Sequence, residues 1–536
     1  MSLVEKLDLG LAWKRVKADS KTDFIFSPYL YQIYNRFEDV NLKELKEKIN
    51  RGYKVSGLWE IDVPKPHFVL RPGAVPIIED RIYFQALVDY IASDIEKKLI
   101  PVDQNVIFSH RLSENLKDPL MFKKSLWANF DQKVRDNYYA GKKYLVVTDI
   151  AGYFEHIDHI LLRKALLNFG SDEEIIECIY NALKYWKRGT GINRGIPQGI
   201  WPSDYLGNIY LDSVDKYMLR QGYDYFRYVD DIRISCNSTA EARKALKELL
   251  EELRRLNLTV QTKKTAIYRE ENVRSYIDEL SDKMRSITSE IEEIFRDAVR
   301  EVILEEITPE ADQNPYSEFF APTIDIEEVV EEVIEEKKET IENESLRKFF
   351  NETVVETFPT SKHLRFCLNR LSKLKDEIAV NRILQLLPHM PFESDVIIKY
   401  LGEFPNREDI RNDLLSFLKS DLNLYDWQEM CILGYFLGCA EMKEQEISYL
   451  WNLICDHNKH DAIRIRAILL LGKHGQNEDF ERLRQLYDKE QDEKIRIAII
   501  VSLRNYSKAE RNYFYGLCMG ESKFIDQAIT YMKELT

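Results

Sequence analysis

The stretch Tyr225-Phe226-Arg227-Tyr228-Val229-Asp230-Asp231-Ile232-Arg233-Ile234-Ser235 decides the reading of this 536-residue chain. Tyr225 to Val229 carries the aromatic and β-branched residues of a strand, and Ile232 to Ser235 alternates apolar and polar as a half-buried strand does. Two adjacent aspartates between them fit the tip of a β-hairpin. A second strand, Tyr144-Leu145-Val146-Val147-Thr148, has the apolar, β-branched run of a sheet centre and leads into Asp149. Neighbouring strand ends would place Asp149 and Asp230 in one site. Carboxylates so close repel each other unless a cation sits between them. Hard oxygen ligands of this kind suit Mg²⁺. The expected metal set is Asp149, the Ile150 carbonyl, Asp230 and Asp231, holding two Mg²⁺ ions, with Mn²⁺ as the alternative.

Three further blocks lie around this pair. In Asp149-Ile150-Ala151-Gly152-Tyr153-Phe154, the backbone amides after Asp149 can face a triphosphate, which puts Tyr153 and Phe154 beside a nucleotide. A ring at Phe154 can press on the sugar and leave no room for a 2′-hydroxyl; plain core packing is the competing reading. His156 and His159 read as structural or exposed rather than as ligands. In Arg194-Gly195-Ile196-Pro197-Gln198-Gly199, the glycines and proline mark a tight loop ahead of a helix from Tyr205. Gln198 offers a donor and an acceptor to sugar and base edges, with Gly199 beside it. In Leu256 to Thr265, Lys264 is the candidate general acid and electrostatic partner of a leaving pyrophosphate, against the alternative of a surface lysine. Lys65, Arg71 and Arg81 are candidates to clamp a triphosphate, since cationic forks match phosphate oxygens; each can instead be an ion-pair partner. Asp149, Asp230, Asp231 and Lys264 thus form the expected catalytic set. Two metal ions roughly 3.5–4 Å apart there would serve nucleotidyl transfer from a triphosphate.

Composition bounds the rest. The length predicts two or three domains. The start lacks a secretory pattern, no apolar run is long enough to span a bilayer, and the seven cysteines form no C-x-x-C pair. A cytoplasmic protein with reduced thiols and no membrane is expected, and the apolar stretch around Cys431–Cys439 reads as a buried helix. The net charge of −15 argues against nucleic-acid binding only as an average, because Glu301–Glu344 has Lys337 and Lys338 as its only basic residues. Binding a strand needs a local basic groove, not a basic protein.

Three segments follow. Residues 1–270 mix strands and helices and carry every chemical signal: Leu11 to Lys17, Asp80 to Lys98 and Glu241 to Leu256 read as helices, and Lys65 to Pro72 as extended. Residues 271–345 read as an acidic helical connector interrupted at Asn314-Pro315-Tyr316 and Ala321-Pro322, either a solvated link or a mimic of nucleic-acid charge. Residues 346–536 read as helices throughout. Ala462 to Gly472 resembles Glu493 to Leu503 at a separation of about thirty residues, as in helical-hairpin repeats of HEAT type.

Asp149 with Phe154, Pro197-Gln198-Gly199 with Ser203, Tyr228-Val229-Asp230-Asp231 and Lys264-Thr265, in that order, resemble the reverse transcriptase family. Asp80-Arg81 with Gln85 resembles an earlier motif of its bacterial members. The resemblance covers roughly residues 60–270 and implies an α+β, right-hand polymerase fold: fingers and palm with an antiparallel palm sheet, then an all-α HEAT-like domain. It also implies two Mg²⁺ ions and DNA synthesis from deoxynucleoside triphosphates. With the opening Trp13-Lys14-Arg15-Val16-Lys17, the chain is similar to the bacterial unknown-group and abortive-infection reverse transcriptases. That group implies defence against bacteriophage, a homo-oligomer and a single-stranded DNA product. The product is made either on a companion non-coding RNA or without template, in some members from a protein tyrosine. An inactive nucleic-acid-binding scaffold and an RNA-synthesising polymerase are the alternatives; Phe154 disfavours the second. Pro202-Ser203-Asp204 departs from the family's serine followed by proline, which touches template positioning. No ribonuclease H or zinc-type maturase segment is expected.

Overall fold

The computed structural model describes residues 2–25, 27–123, 126–187, 193–311, 326–356 and 358–535. Its contacts group the chain into two compact units, Met1–Ile277 with Leu418–Thr536, and Asp278–Phe417.

The first unit is built on a four-stranded antiparallel sheet. Its strands are β3 (Tyr144–Asp149), β4 (Asp224–Tyr228), β5 (Asp231–Cys236) and β6 (Ala266–Arg269), in the order β4-β5-β3-β6. Successive side chains point to opposite faces, and the burial follows that period. Val146, Tyr225, Ile232 and Ile234 join the main core, while Leu145 and Phe226 meet Phe108, Phe130 and Val273 on the other side. β3 is central and covered on both faces, which is why its sequence runs apolar. A separate antiparallel pair is formed by β1 (Leu58–Pro64) and β2 (Leu70–Pro76).

Most elements form where periodicity places them: Leu9–Asp19, Ile78–Glu96, Trp201–Arg220 and Thr239–Arg255 are helices. The segment Lys65 to Pro72, expected as one extended piece, instead reverses direction between β1 and β2. Pro66 opens the turn and lacks an N–H, and His67 and Phe68 take left-handed backbone angles with φ of 66° and 60°. Alternation alone does not reveal such a reversal.

No strand occurs after Leu346 among the described residues. The two similar segments form the helices Asp461–His474 and Glu493–Ser502. They touch at Gly472, where a Cβ would lie 2.5 Å from the Ser502 Cα, so only glycine allows this approach. The C-terminal helices reach the opening segments directly. His460 Nε2 bonds the Glu60 carbonyl in β1 at 2.6 Å, Gln527 Nε2 donates to Asn41 Oδ1 at 2.7 Å, and Arg36 meets both carboxylate oxygens of Glu534. Cys431 lies in the helix Asp426–Phe436, whose Ile432, Leu433 and Phe436 are buried. Among the described residues no helix is long and apolar enough to cross a membrane.

In the second unit, which begins within the long helix Glu271–Ala311, Ile291, Phe295 and Val299 pack on Val330, Ile334 and Ile341. The valine–isoleucine–glutamate pattern is therefore a packed amphipathic helix, Ile326–Glu336, and Arg296 binds Glu331 beside it at 2.7 Å. Asn314-Pro315-Tyr316 and Ala321-Pro322 lie outside the described residues.

Candidate active site

β3 and β5 pair so that Asp149 stands opposite Asp231, and the Ile150 N–H donates to the Asp230 carbonyl at 3.2 Å. Directly opposed residues on antiparallel strands hold their Cβ atoms about 4.5–5.5 Å apart. Asp149, Asp230 and Asp231 therefore share one corner of the sheet, although some eighty residues of chain separate the first from the others. Burial, and then the charge of Asp149, push the Asp230 carboxyl up to about 7. Asp231 is raised by the same two causes, opposed by Arg233 and Lys264.

The hairpin that carries the aspartates is tight. Tyr228 pairs with Asp231, leaving Val229 and Asp230 as a two-residue turn. Val229 has φ of 55°, at a turn position that usually takes glycine. Its N–H donates to Ser109 Oγ at 2.7 Å, and its carbonyl accepts from Arg227 at 3.2 Å. Arg227 is fully buried and forks onto Asp215 with two bonds of 2.8 Å, while Asn208 Oδ1 accepts a third at 2.8 Å.

The fourth sequence block closes the site. The Gln261 N–H donates to the Asp149 carbonyl at 2.7 Å, Ala151 N–H to Thr259 at 2.8 Å, and the turn Thr262–Lys264 follows. From it the Lys264 Nζ reaches Asp149 Oδ2 at 2.5 Å. Burial lowers the Lys264 pKa, but the three aspartates outweigh it and hold it above the ordinary lysine value. Lys65, at the end of the β1–β2 hairpin, has its pKa lowered by burial and by Arg71, and raised in part by Glu155, Asp230 and Asp149. Lys65 thus lies within electrostatic reach of the carboxylate corner, with Arg71 acting on it from the same hairpin.

Tyr153 and Phe154 begin a short helix beneath. The Tyr153 hydroxyl donates to the Gly207 carbonyl at 2.5 Å and its ring lies 5.3 Å from that of Phe154; both are buried. Ile150 is also buried, and its N–H is the one spent on Asp230. The loop 194–199 is stitched to the same segment: Ile196 N–H donates to the Phe154 carbonyl at 2.9 Å, and His159 Nε2 bonds the Gly195 carbonyl at 2.7 Å. A cavity of about 180 Å³ opens between this loop, the β1–β2 hairpin and Glu155, with Gln198 and Arg194 in its wall.

Arg81 corrects the sequence reading. It is 1% exposed, and its guanidinium binds Asp23 Oδ2 at 2.7 Å, Tyr31 Oη at 2.7 Å and Asp19 Oδ2 at 2.8 Å. A guanidinium taken wholly from water needs carboxylates around it, and these leave no face for a triphosphate. The clamp pins the segment ahead of Phe24. The Phe24 ring fills the space a Cβ on Gly73 or Gly199 would enter, at 2.7 and 2.8 Å. The Arg71 guanidinium lies 4.8 Å from its centroid. Asp19 Oδ2 also accepts the Trp201 N–H at 3.0 Å. Phe24, Asp19, Asp215, Arg227 and Ser109 are the site residues that sequence reasoning passed over. Charges inside apolar runs, as in Phe226-Arg227-Tyr228 and Val214-Asp215, were the available signal.

The donor set suits a divalent cation: carboxylates crowded at one corner, with a lysine supplying the positive charge. Among the described residues no three His, Cys, Asp or Glu side chains converge closely enough to cage an ion by themselves. An ion at Asp149 would take the place the Lys264 ammonium holds.

Residues 63–288 match the family described as reverse transcriptase (RNA-dependent DNA polymerase). The chain is 24% identical over 225 residues to a protein named for intron 1 of COX1/OXI3 in Saccharomyces cerevisiae, covering 41% of this chain and 25% of that protein. It is 24% identical over 184 residues to Protein YkfC of Escherichia coli, covering 33% of this chain and 45% of that one. The chain thus spans less than half the length of either relative. Among solved structures, it is similar to telomerase from Candida tropicalis, at 11% identity and a TM-score of 0.32 over 86% of this chain and 69% of that one.

Proposed function

We propose that this chain is a DNA polymerase of reverse transcriptase type that adds deoxynucleotides at Asp149, Asp230 and Asp231. The observation that carries the reading is the pairing of Asp149 with Asp231, with Asp230 joined through the Ile150 N–H, inside the matched region. Two divalent ions, magnesium or manganese, would supply Lewis acidity to the attacking hydroxyl and the leaving pyrophosphate. Asp149, Asp230, Asp231 and the Ile150 carbonyl would hold them. Lys264, freed from Asp149, is placed to give its proton to the pyrophosphate. Lys65 and Arg71 on the hairpin meet the triphosphate, and Gln198 and Gly199 line the nucleotide's other side. Phe154, with Tyr153 behind it, is the wall that excludes a 2′-hydroxyl.

Asp230→Asn tests this directly. It should lower incorporation of labelled deoxynucleotide by about 10³-fold or more, as loss of a charge-stabilising group does. Retained incorporation refutes the assignment, and no incorporation by the unaltered protein leaves the inactive scaffold.

The biological setting follows the resemblance to abortive-infection reverse transcriptases. We place the chain in anti-bacteriophage defence, as a cytoplasmic homo-oligomer whose C-terminal HEAT-like helices accompany a single-stranded DNA product. The strand is copied from a companion non-coding RNA or made without template. Sequencing copurifying nucleic acids separates the two: a discrete RNA with its complement, or a homopolymer. Random cellular DNA, with no loss of plaque protection in the Asp230→Asn strain, overturns the defence reading.

A further inference from the structure

The strand register sets Tyr228, Asp231 and Asp149 in one row across β4, β5 and β3. Directly opposed side chains share a face, so the Tyr228 ring lies on the carboxylate side of the sheet. Two residues further along, the next row on that face is Phe226, Arg233 and Val147. The helix Trp127–Tyr139 covers this second row. The Phe130 ring lies 5.6 Å from that of Phe226, the Arg233 guanidinium lies 4.0 Å from the Phe130 centroid, and Asp131 accepts from Arg233 at 2.6 Å. At the start of the helix Trp127 reaches the first row, its ring edge-on to Tyr228 at 4.9 Å.

Of the seven tryptophans, four are buried and Trp59 and Trp201 are half-buried, whereas Trp127 is 40% exposed. An exposed indole beside the carboxylate row is a platform on which a base can stack. Tyr228 also borders a cavity of about 290 Å³, walled further by Phe122, Trp201, Leu120 and Lys123. The Phe122 and Trp201 rings are 5.9 Å apart and steeply inclined. Backbone bonds fix these walls to the sheet: Phe108 N–H donates to the Arg227 carbonyl at 3.0 Å, and Lys123 N–H to the Arg111 carbonyl at 2.9 Å. The volume is at the small end for ligand cavities and suits one base with its sugar. The Lys123 ammonium holds Glu114 at 3.1 Å, but the Glu114 side chain is 89% exposed. Such a surface pair contributes little and is readily exchanged for a phosphate.

We propose that Trp127, Tyr228 and the cavity at Phe122 and Trp201 hold the last bases of the strand being extended as unpaired bases, with Lys123 on their backbone. The rings tolerate any sequence, because every base has a face to stack. A duplex end offers them less, since its bases already cover one another. The identity of the ligand rests on the polymerase reading; the site itself rests on the rings, the cavity and the lysine.

The test reads binding to full-length Asp230→Asn protein without nucleotide, so it stands whether or not the carboxylates polymerise. Added dT12 should quench tryptophan emission. Trp127→Phe and Trp201→Phe, each made in that background, should each remove part of the quenching while affinity stays within about threefold, since a phenyl ring still stacks. Trp127→Ala should weaken dT12 binding about tenfold, within the range for one stacked base. Lys123→Met should flatten the salt slope by about 0.7, the value for one lost contact on a single strand. A blunt-ended hairpin duplex should quench less than dT12. If Trp127→Ala does not fold, the two phenylalanine variants and Lys123→Met carry the test. Full quenching in both phenylalanine variants overturns the stacking, and equal quenching by the hairpin overturns the unpaired strand. Unchanged dT12 binding in Trp127→Ala and Lys123→Met overturns the site. Failure of the polymerase reading shows separately, as no incorporation by the unaltered protein.

Discussion

Phe24 occupies the space that two glycines leave open, and Arg71 lies over its ring. Its removal would let the β1–β2 hairpin and the loop at Gly199 drift apart. Phe24→Ala should therefore raise KM for deoxynucleotide about tenfold while kcat stays within about threefold, the pattern of lost ground-state positioning. Steady-state kinetics on a saturating strand checks this. Phe154→Val should relax discrimination against ribonucleotides by about tenfold or more, read from competing labelled substrates, because the space of the lost ring opens. At this scale the aspartates were legible, since Asp149 ends one plain strand, Asp231 begins another, and Asp230 sits in the turn before it. Arg81 was not. A basic residue at a helix start looks the same whether it awaits a phosphate or two aspartates about sixty positions earlier. Phe24 was silent because glycine packing partners leave no mark on the residue they receive.

The hairpin β4–β5 keeps a valine in a backbone conformation that costs roughly 1–3 kcal/mol. Ser109 and Arg227 hold it there, and Asp215 holds Arg227. Asp215→Asn leaves a buried guanidinium without its counter-charge and should destabilise the protein by about 3–5 kcal/mol in urea unfolding. Incorporation should fall as well, although Asp149, Asp230 and Asp231 remain. The strands and helices themselves were readable from periods of 2 and 3.6 residues. The β1–β2 reversal was missed because its turn rests on two non-glycine residues in left-handed geometry, and β6 because four residues are too few to show alternation.

The chain folds back on itself: the last 119 residues pack with the first 277. The contacts are chemical as well as apolar, as His460 on Glu60 and Gln527 on Asn41 demonstrate. A chain stopped at residue 417 should expose the surfaces of β1 and the helix Pro28–Arg36 that the missing helices cover. It should elute as aggregate in size-exclusion chromatography or be cut by protease within residues 25–80, where the intact chain resists. No local pattern could announce this return, because composition changes along the chain while packing joins its ends. The helical character after Leu346 was legible; its partner was not. Asp19 brings the same long-range logic down to one atom. Its Oδ2 accepts from Arg81 in one helix and from the first amide of another, while Asp19 itself ends a third. These three helices therefore have no separate adjustments. A pull on the chain's opening turns would be felt at the loop before Trp201, as a rope tied to a single cleat moves everything made fast there.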